Sequence, residues 1–192
     1  LHISGKWEGT RSSFRSRLTA VGAVHPAEPY QSLLPLENAV QDWLDQPIGE
    51  LAHPIPPEGK LDAALYGSQV AALFNQVQLA ETGADFSCTS LGNDPVGLAS
   101  PVTMRGVTAA YLFANTLVVL EVTEEVLRQT LERCAAYFTL VDGQPQISEE
   151  FLLPKVEHYN YDFYAGLAYT FDLRRPVGSR VVRLAKLGGS PL

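Results

Sequence analysis

Apolar residues recur at helical spacing in three stretches of the chain and run almost unbroken in a fourth. Leu36, Val40, Trp43 and Leu44 fall on one face of a helix over about 35–45, with Pro35 suited to its first turn. Val70, Leu73, Phe74 and Val77 mark a helix over 62–82 that Gly83 stops, and Gly67-Ser68 inside it either kinks the helix or admits a close backbone. Leu127, Leu131, Cys134 and Phe138 form a third stripe. Thr123 caps that helix, and Glu124 and Glu125 lie in its first turn, where negative charge suits the helix dipole. The unbroken run is Leu117 to Val122, LVVLEV, the pattern of a strand covered on both faces.

Shorter runs predict further strands. His2–Glu8 reads as one, and Asp85–Leu91 between Gly83 and Gly92 as another. Asp142-Gly143 predicts a hairpin turn between FTLV and QPQIS. GLAYTFDL (Gly166 to Leu173) and SRVVRLAKL (Ser179 to Leu187) follow, separated by a Pro176–Gly178 turn. Pro47, Pro54, Pro56 and Pro57 keep the segment between the first two helices extended and irregular.

Composition narrows the class. A chain of 192 residues with 46% hydrophobic and 18% charged residues folds as one globular domain and is not disordered. A net charge of −7 argues against a nucleic-acid polymer as partner, which needs a dense basic patch. Arg11, Arg15 and Arg17, and again Arg174, Arg175, Arg180 and Arg183, are sparse enough to read as solvated surface. No apolar run is long enough to cross a bilayer. The two cysteines read as buried free thiols, Cys134 on its helix stripe and Cys88 alternating with Phe86, which leaves the redox compartment open.

Four words in order carry a resemblance: TGAD (Thr82 to Asp85), PVTMRGV (Pro101 to Val107), LFANTLVVLEVT (Leu112 to Thr123) and a late HYNYD…G…YT…RPVGSRV (His158 to Val181). The sequence resembles the carboxy-terminal domain of the 5'-nucleotidase family from about Asp62 onward. Asn93-Asp94, in place of that family's Asn-Gly-Gly-Ile-Arg loop, is similar to the 2',3'-cyclic-nucleotide 2'-phosphodiesterase/3'-nucleotidase branch. The resemblance implies an α+β fold, with mixed sheets packed face to face in helix, sheet, sheet, helix layers. Residues 1–29 are expected to be the tail of a preceding domain with a linker, and residues 30–192 the nucleotide-recognition domain.

The family's second clamp aromatic lies in a late Asn-Tyr-Arg-Ala-Gly-Gly segment. This sequence stops at LGGSPL (Leu187 to Leu192), so the expectation is either a domain truncated at its carboxy terminus, which is favoured, or a clamp without its second ring.

The resemblance also implies a division of labour. Bond cleavage belongs to a separate amino-terminal metallophosphoesterase domain holding two divalent metal ions, each needing several ligands converging to about 2.0–2.2 Å. His2, His25, His53 and His158 are dispersed here, so no metal site is expected in this chain, nor activity without that partner domain. Nucleotides or nucleosides are the implied ligands, and an exported location is implied as well. Phe113 is the implied base-stacking ring; periodicity alone would bury it between Tyr111 and Leu117. Asn115 either reaches a base edge or holds its turn. Asn93 would bond the base and Asp94 a ribose hydroxyl, although both also suit plain turn chemistry. The aromatic-dense HYNYDFY (His158 to Tyr164) reads either as part of the cleft or as tyrosine rings packed on a sheet.

Overall fold

The computed structural model describes residues 2–8, 11–17, 28–188 and 192, with side chains from residue 30 onward. The expected linker over 18–27, the side chains of Arg11, Arg15 and Arg17, and residues 189–191 lie outside the described residues. The polypeptide forms two compact units, Leu1–Trp43 and Leu44–Leu192, dividing inside a helix.

In the first unit, β1 (His2–Glu8) and β2 (Arg11–Arg17) pair antiparallel, with His2 opposite Arg17 and Glu8 opposite Arg11. Helix α1 (Glu28–Gln31) follows, then α2 (Leu34–Leu44), close to the bounds its periodicity predicts. Its apolar stripe stays exposed at Leu36, Val40 and Trp43.

The second unit begins with β3 (Pro47–Gly49) and then two helices, α3 (Lys60–Tyr66) and α4 (Gln69–Thr82). The single helix expected over 62–82 is thus broken. Gly67 takes φ 95°, outside the helical region, and Ser68 starts α4 afresh by accepting a hydrogen bond from Ala71 N at 3.2 Å. Gly83, at φ 66°, closes α4 with its N–H on Leu79 O, as its position in the sequence implies. The chain continues through β4 (Ser87–Ser90), β5 (Val102–Thr103), α5 (Met104–Ala110) and α6 (Glu124–Ala135). Strands β6 (Phe138–Val141) and β7 (Gln144–Ile147) form the expected hairpin. Asp142 and Gly143 both have positive φ, 51° and 77°, the requirement of a turn matched to strand twist. Strands β8 (Asp162–Ala165), β9 (Leu167–Phe171) and β10 (Val181–Lys186) complete the unit.

The architecture is α+β, as expected. Its described strands form five two-stranded antiparallel ladders rather than mixed sheets: β1–β2, β3–β5, β4–β8, β6–β7 and β9–β10. Leu117–Val122 explains much of this difference. It was expected as a strand covered on both faces, yet among the described residues it joins no ladder. Leu117, Val118, Val119 and Leu120 are 50–73% exposed. A run apolar on both sides becomes a buried strand only when a neighbour pairs its edge and layers cover its faces, and no described strand does so.

The core centres on Tyr137, just past α6. Its ring lies 4.9 Å from Tyr161, 5.0 Å from Phe151 and 5.5 Å from Phe138. Burying each large ring is worth about 1.5–3 kcal/mol, and edge-on ring pairs add about 0.5–1.5 kcal/mol. Helix α6 buries Leu127, Leu131 and Cys134, the predicted stripe, and Thr123 caps it by accepting from Val126 N.

Three expectations about faces are corrected. Helix α4 buries Val70, Ala71 and Asn75, leaving Val77 exposed, because Asn75 donates to Phe163 O at 2.8 Å and accepts from Ser87 Oγ at 2.8 Å. The same bond turns Ser87 and Thr89 of β4 inward, so Cys88 is exposed rather than buried; Cys134 is buried, and both thiols are free. Arg180 is not solvated surface but 7% exposed. Its Nη1 donates to Ala135 O and Phe138 O at 2.8 and 2.7 Å, at the carboxy-terminal end of α6, where a cation suits the dipole.

Candidate functional site

Strand β4 delivers the chain into the loop Leu91–Leu98, and two ties fix that loop. Ile55 and Leu98 exchange backbone hydrogen bonds at 2.8 Å each. Gly97 between them is required by close approach, because a Cβ there would collide with Ile55 O. At the other end, Lys60 at the start of α3 donates from Nζ to Gly92 O at 2.6 Å.

Asn93 is engaged at both ends of its amide. Nδ2 donates to Val156 O at 2.9 Å, and Oδ1 accepts from His158 N at 3.0 Å. The side chain expected to meet a base therefore links its loop to the segment 156–158. Asp94, one residue on, is exposed and makes no hydrogen bond or ion pair with the described residues.

The turn bearing Phe113 adjoins this loop. Tyr111 anchors it by packing edge-on against Phe74 of α4, ring centres 5.3 Å apart. The Leu112 side chain reaches Gly92, where a Cβ would lie 3.7 Å from Leu112 Cδ1. Asn115 N then donates to Phe113 O at 2.8 Å, closing a three-residue turn. Phe113 projects from that turn 69% exposed, so the burial that periodicity suggested does not occur. The Asn115 side chain is exposed and uncommitted, since a backbone bond holds the turn. The turn 112–115 and the loop 92–94 are thus neighbours, across some twenty intervening residues that include α5.

Two residues that sequence reasoning did not assign to the site lie beside the loop. A small hollow of about 20 Å³, room for about one water, is lined by Lys60, Ala63, Leu91, Gly92, Tyr137 and His158 among others. Tyr137 Oη lies 2.6 Å from His158 Nδ1. Tyr137 is 1% exposed, and this bond ties the His158 ring to the core. Burial pushes the Tyr137 hydroxyl up to about 12, which keeps it a donor. Burial lowers the His158 pKa, the Lys60 ammonium lowers it further, and Asp94 opposes both. Burial also brings Lys60 down to about 8, again against Asp94. Neither residue had a signal of its own in the sequence. Lys60 sits in a proline-rich run without periodicity, and His158 is one ring among several aromatics.

Of HYNYDFY, Tyr161 follows the packing reading. Tyr161 is 5% exposed in the core and donates to Ala64 O at 3.0 Å. With Phe138, Phe163, Tyr169, Phe171 and Leu173 it also lines a wider hollow of about 320 Å³ beside α3. Among the described residues no group of three or more His, Cys, Asp or Glu could hold a metal ion. No described helix is long and apolar enough to cross a membrane.

Residues 47–192 match the family described as 5'-nucleotidase, C-terminal domain. A curated 2',3'-cyclic-nucleotide 2'-phosphodiesterase/3'-nucleotidase of Haemophilus influenzae is 27% identical over 167 residues, covering 75% of this chain and 25% of that protein. A Staphylococcus aureus protein described as a 5'-nucleotidase, crystallised with alpha-ketoglutarate, superposes with a TM-score of 0.81 at 31% identity, over 93% of this chain and 35% of its own. A 5'-nucleotidase precursor of Thermus thermophilus shares the fold at a TM-score of 0.57 and 24% identity, over 81% of this chain and 28% of its own. The chain thus spans between a quarter and about a third of these proteins. With most of its length matched and the fold shared, the chain belongs to the 5'-nucleotidase family, as a carboxy-terminal domain.

Proposed function

We propose that this chain is the nucleotide-recognition part of a two-domain phosphoesterase acting on 2',3'-cyclic nucleotides and 3'-nucleotides. Phe113 stacks the base, Asn115 offers its amide to a base edge, and Asp94 accepts from a ribose hydroxyl. Asn93 serves the site by holding the loop that presents Asp94. The observation that carries this reading is the 69% exposure of Phe113 on a turn seated against Gly92, with uncommitted polar side chains on both sides of the contact. A ring held outside the core on a short closed turn suits stacking, because every base has a π face.

Hydrolysis, in this reading, belongs to an amino-terminal metallophosphoesterase domain of the same polypeptide, whose two divalent ions supply the activated water. This chain alone is then inactive, and the intact protein is an exported hydrolase. The relationship to the Haemophilus enzyme supports the 3'-nucleotidase assignment. The Staphylococcus neighbour, at higher identity, favours a 5'-nucleotidase as the second reading. Assays of the intact protein on 2',3'-cAMP, 3'-AMP and 5'-AMP separate them.

The test of recognition is Phe113→Ala. Loss of one base–aromatic stack is worth about 1–3 kcal/mol, so adenosine affinity should fall roughly five- to 150-fold. Unchanged affinity would remove the stacking role and leave a module that keeps the fold for another purpose.

A further inference from the structure

Helix α3 meets the aromatic strands with small residues. Ala63, Ala64 and Gly67 line one hollow together with five rings, those of Phe138, Tyr161, Phe163, Tyr169 and Phe171. Small side chains beside large ones leave no gap only where the backbones close up, and here a space of about 320 Å³ remains. The rings keep out of it because they hold one another. Tyr161 lies edge-on to Phe163 at 5.1 Å and to Phe138 at 5.7 Å, and Tyr169 packs on Phe171 at 5.2 Å. The wall is therefore formed before any ligand arrives.

Water suits this space poorly. Its volume takes on the order of ten waters at about 30 Å³ each, and a buried water needs about two to four polar partners. The lining side chains offer few. The Tyr161 hydroxyl is spent on Ala64 O at 3.0 Å, and the Tyr164 backbone engages that of Tyr169. No acidic or basic side chain lines the hollow, and burial raises the pKa of both tyrosines, so the wall is uncharged at neutral pH. The remaining polar side chain of the lining is Thr170, which is exposed and whose hydroxyl has no partner among the described residues.

We propose that this hollow is a binding site for an uncharged aromatic small molecule of one or two fused rings, with its ring system among the wall rings and its polar group at Thr170. Such a ligand displaces poorly bonded water, packs on rings already in place and carries in no charge that the lining would leave unpaired. A phosphate or carboxylate within these walls would meet no cation, so nucleotides are not its occupants. Its lining includes no residue of the turn that bears Phe113, and the site stands or falls independently of the base-stacking reading.

The experiment titrates the full chain with indole and with the permanently charged N-methylquinolinium. Affinities are read by calorimetry, and the place of binding by nuclear Overhauser contacts between probe and aromatic side chains. Indole should bind with a Kd of about 0.1–1 mM, as burying the apolar area of one ring system allows. Its contacts should fall on Phe163, Tyr169 and Phe171, and N-methylquinolinium should bind about ten-fold more weakly or worse. Ala64→Leu puts side-chain volume into the hollow and should lower indole affinity about ten-fold or more without lowering the thermal midpoint. Phe113→Ala should leave indole affinity unchanged.

Indole that does not bind, that contacts Phe113 in place of the wall rings, or that binds a folded Ala64→Leu chain as tightly as the parent overturns the site. The contacts are read in the parent chain, so they decide the matter even where the variant is destabilised. Tighter binding of N-methylquinolinium overturns the uncharged class and makes the hollow an aromatic cage for an organic cation.

Discussion

Replacing Asn93 separates a residue that holds a loop from one that holds a ligand. In the structure both ends of its amide are used, on Val156 O at 2.9 Å and His158 N at 3.0 Å, across 63 and 65 residues of sequence. Each bond between neutral groups contributes about 0.5–1.5 kcal/mol net, and partial exposure favours the lower half of that range. Asn93→Ala should therefore cost about 1–2 kcal/mol. At roughly 2–4 °C per kcal/mol for a chain of this size, the thermal midpoint should fall by about 2–8 °C. Asn93→Asp keeps the acceptor for His158 N but sets a carboxylate oxygen against Val156 O, so it should cost at least as much as losing that donor. Melting followed by circular dichroism, with adenosine titrations of each variant, provides the measurement. If Asn93→Ala melts like the parent chain yet loses adenosine binding ten-fold or more, the amide meets the ligand directly and the loop-holding role is wrong.

Other substitutions probe other parts of the same physics. Arg180→Met removes a buried guanidinium that satisfies Ala135 O, Phe138 O and Arg175 O. Leaving buried carbonyls unpaired should cost about 3 kcal/mol or more in urea unfolding, and a loss under 1 kcal/mol would refute the capping role. The exposed apolar run Leu117–Val122, which pairs with no described strand, should drive concentration-dependent self-association. Val119→Lys should suppress it in light scattering, and equal scattering from both proteins would count against that account.

The sequence by itself determined that α2 and α6 are helical, where the hairpin turns, and which family the chain joins, but not that Gly67 divides the helix expected over 62–82. These are local properties: a stripe at Leu127, Leu131 and Cys134, a cap at Thr123, positive φ at Asp142-Gly143. Each is dictated by residues within a few positions of one another. It did not determine which face of an element is buried. Asn75, Ser87 and Arg180 are interior because partners far along the chain satisfy them, whereas Leu120 is exposed because no described strand pairs with its run. The candidate site divides the same way. Phe113, Asn115, Asn93 and Asp94 stood out by motif. Tertiary structure alone brought the turn of Phe113 against Gly92, committed the Asn93 amide to residues 156–158, and set Lys60 and His158 around one hollow. Burial and charge act through space, and residues distant along the chain become neighbours only once it has folded.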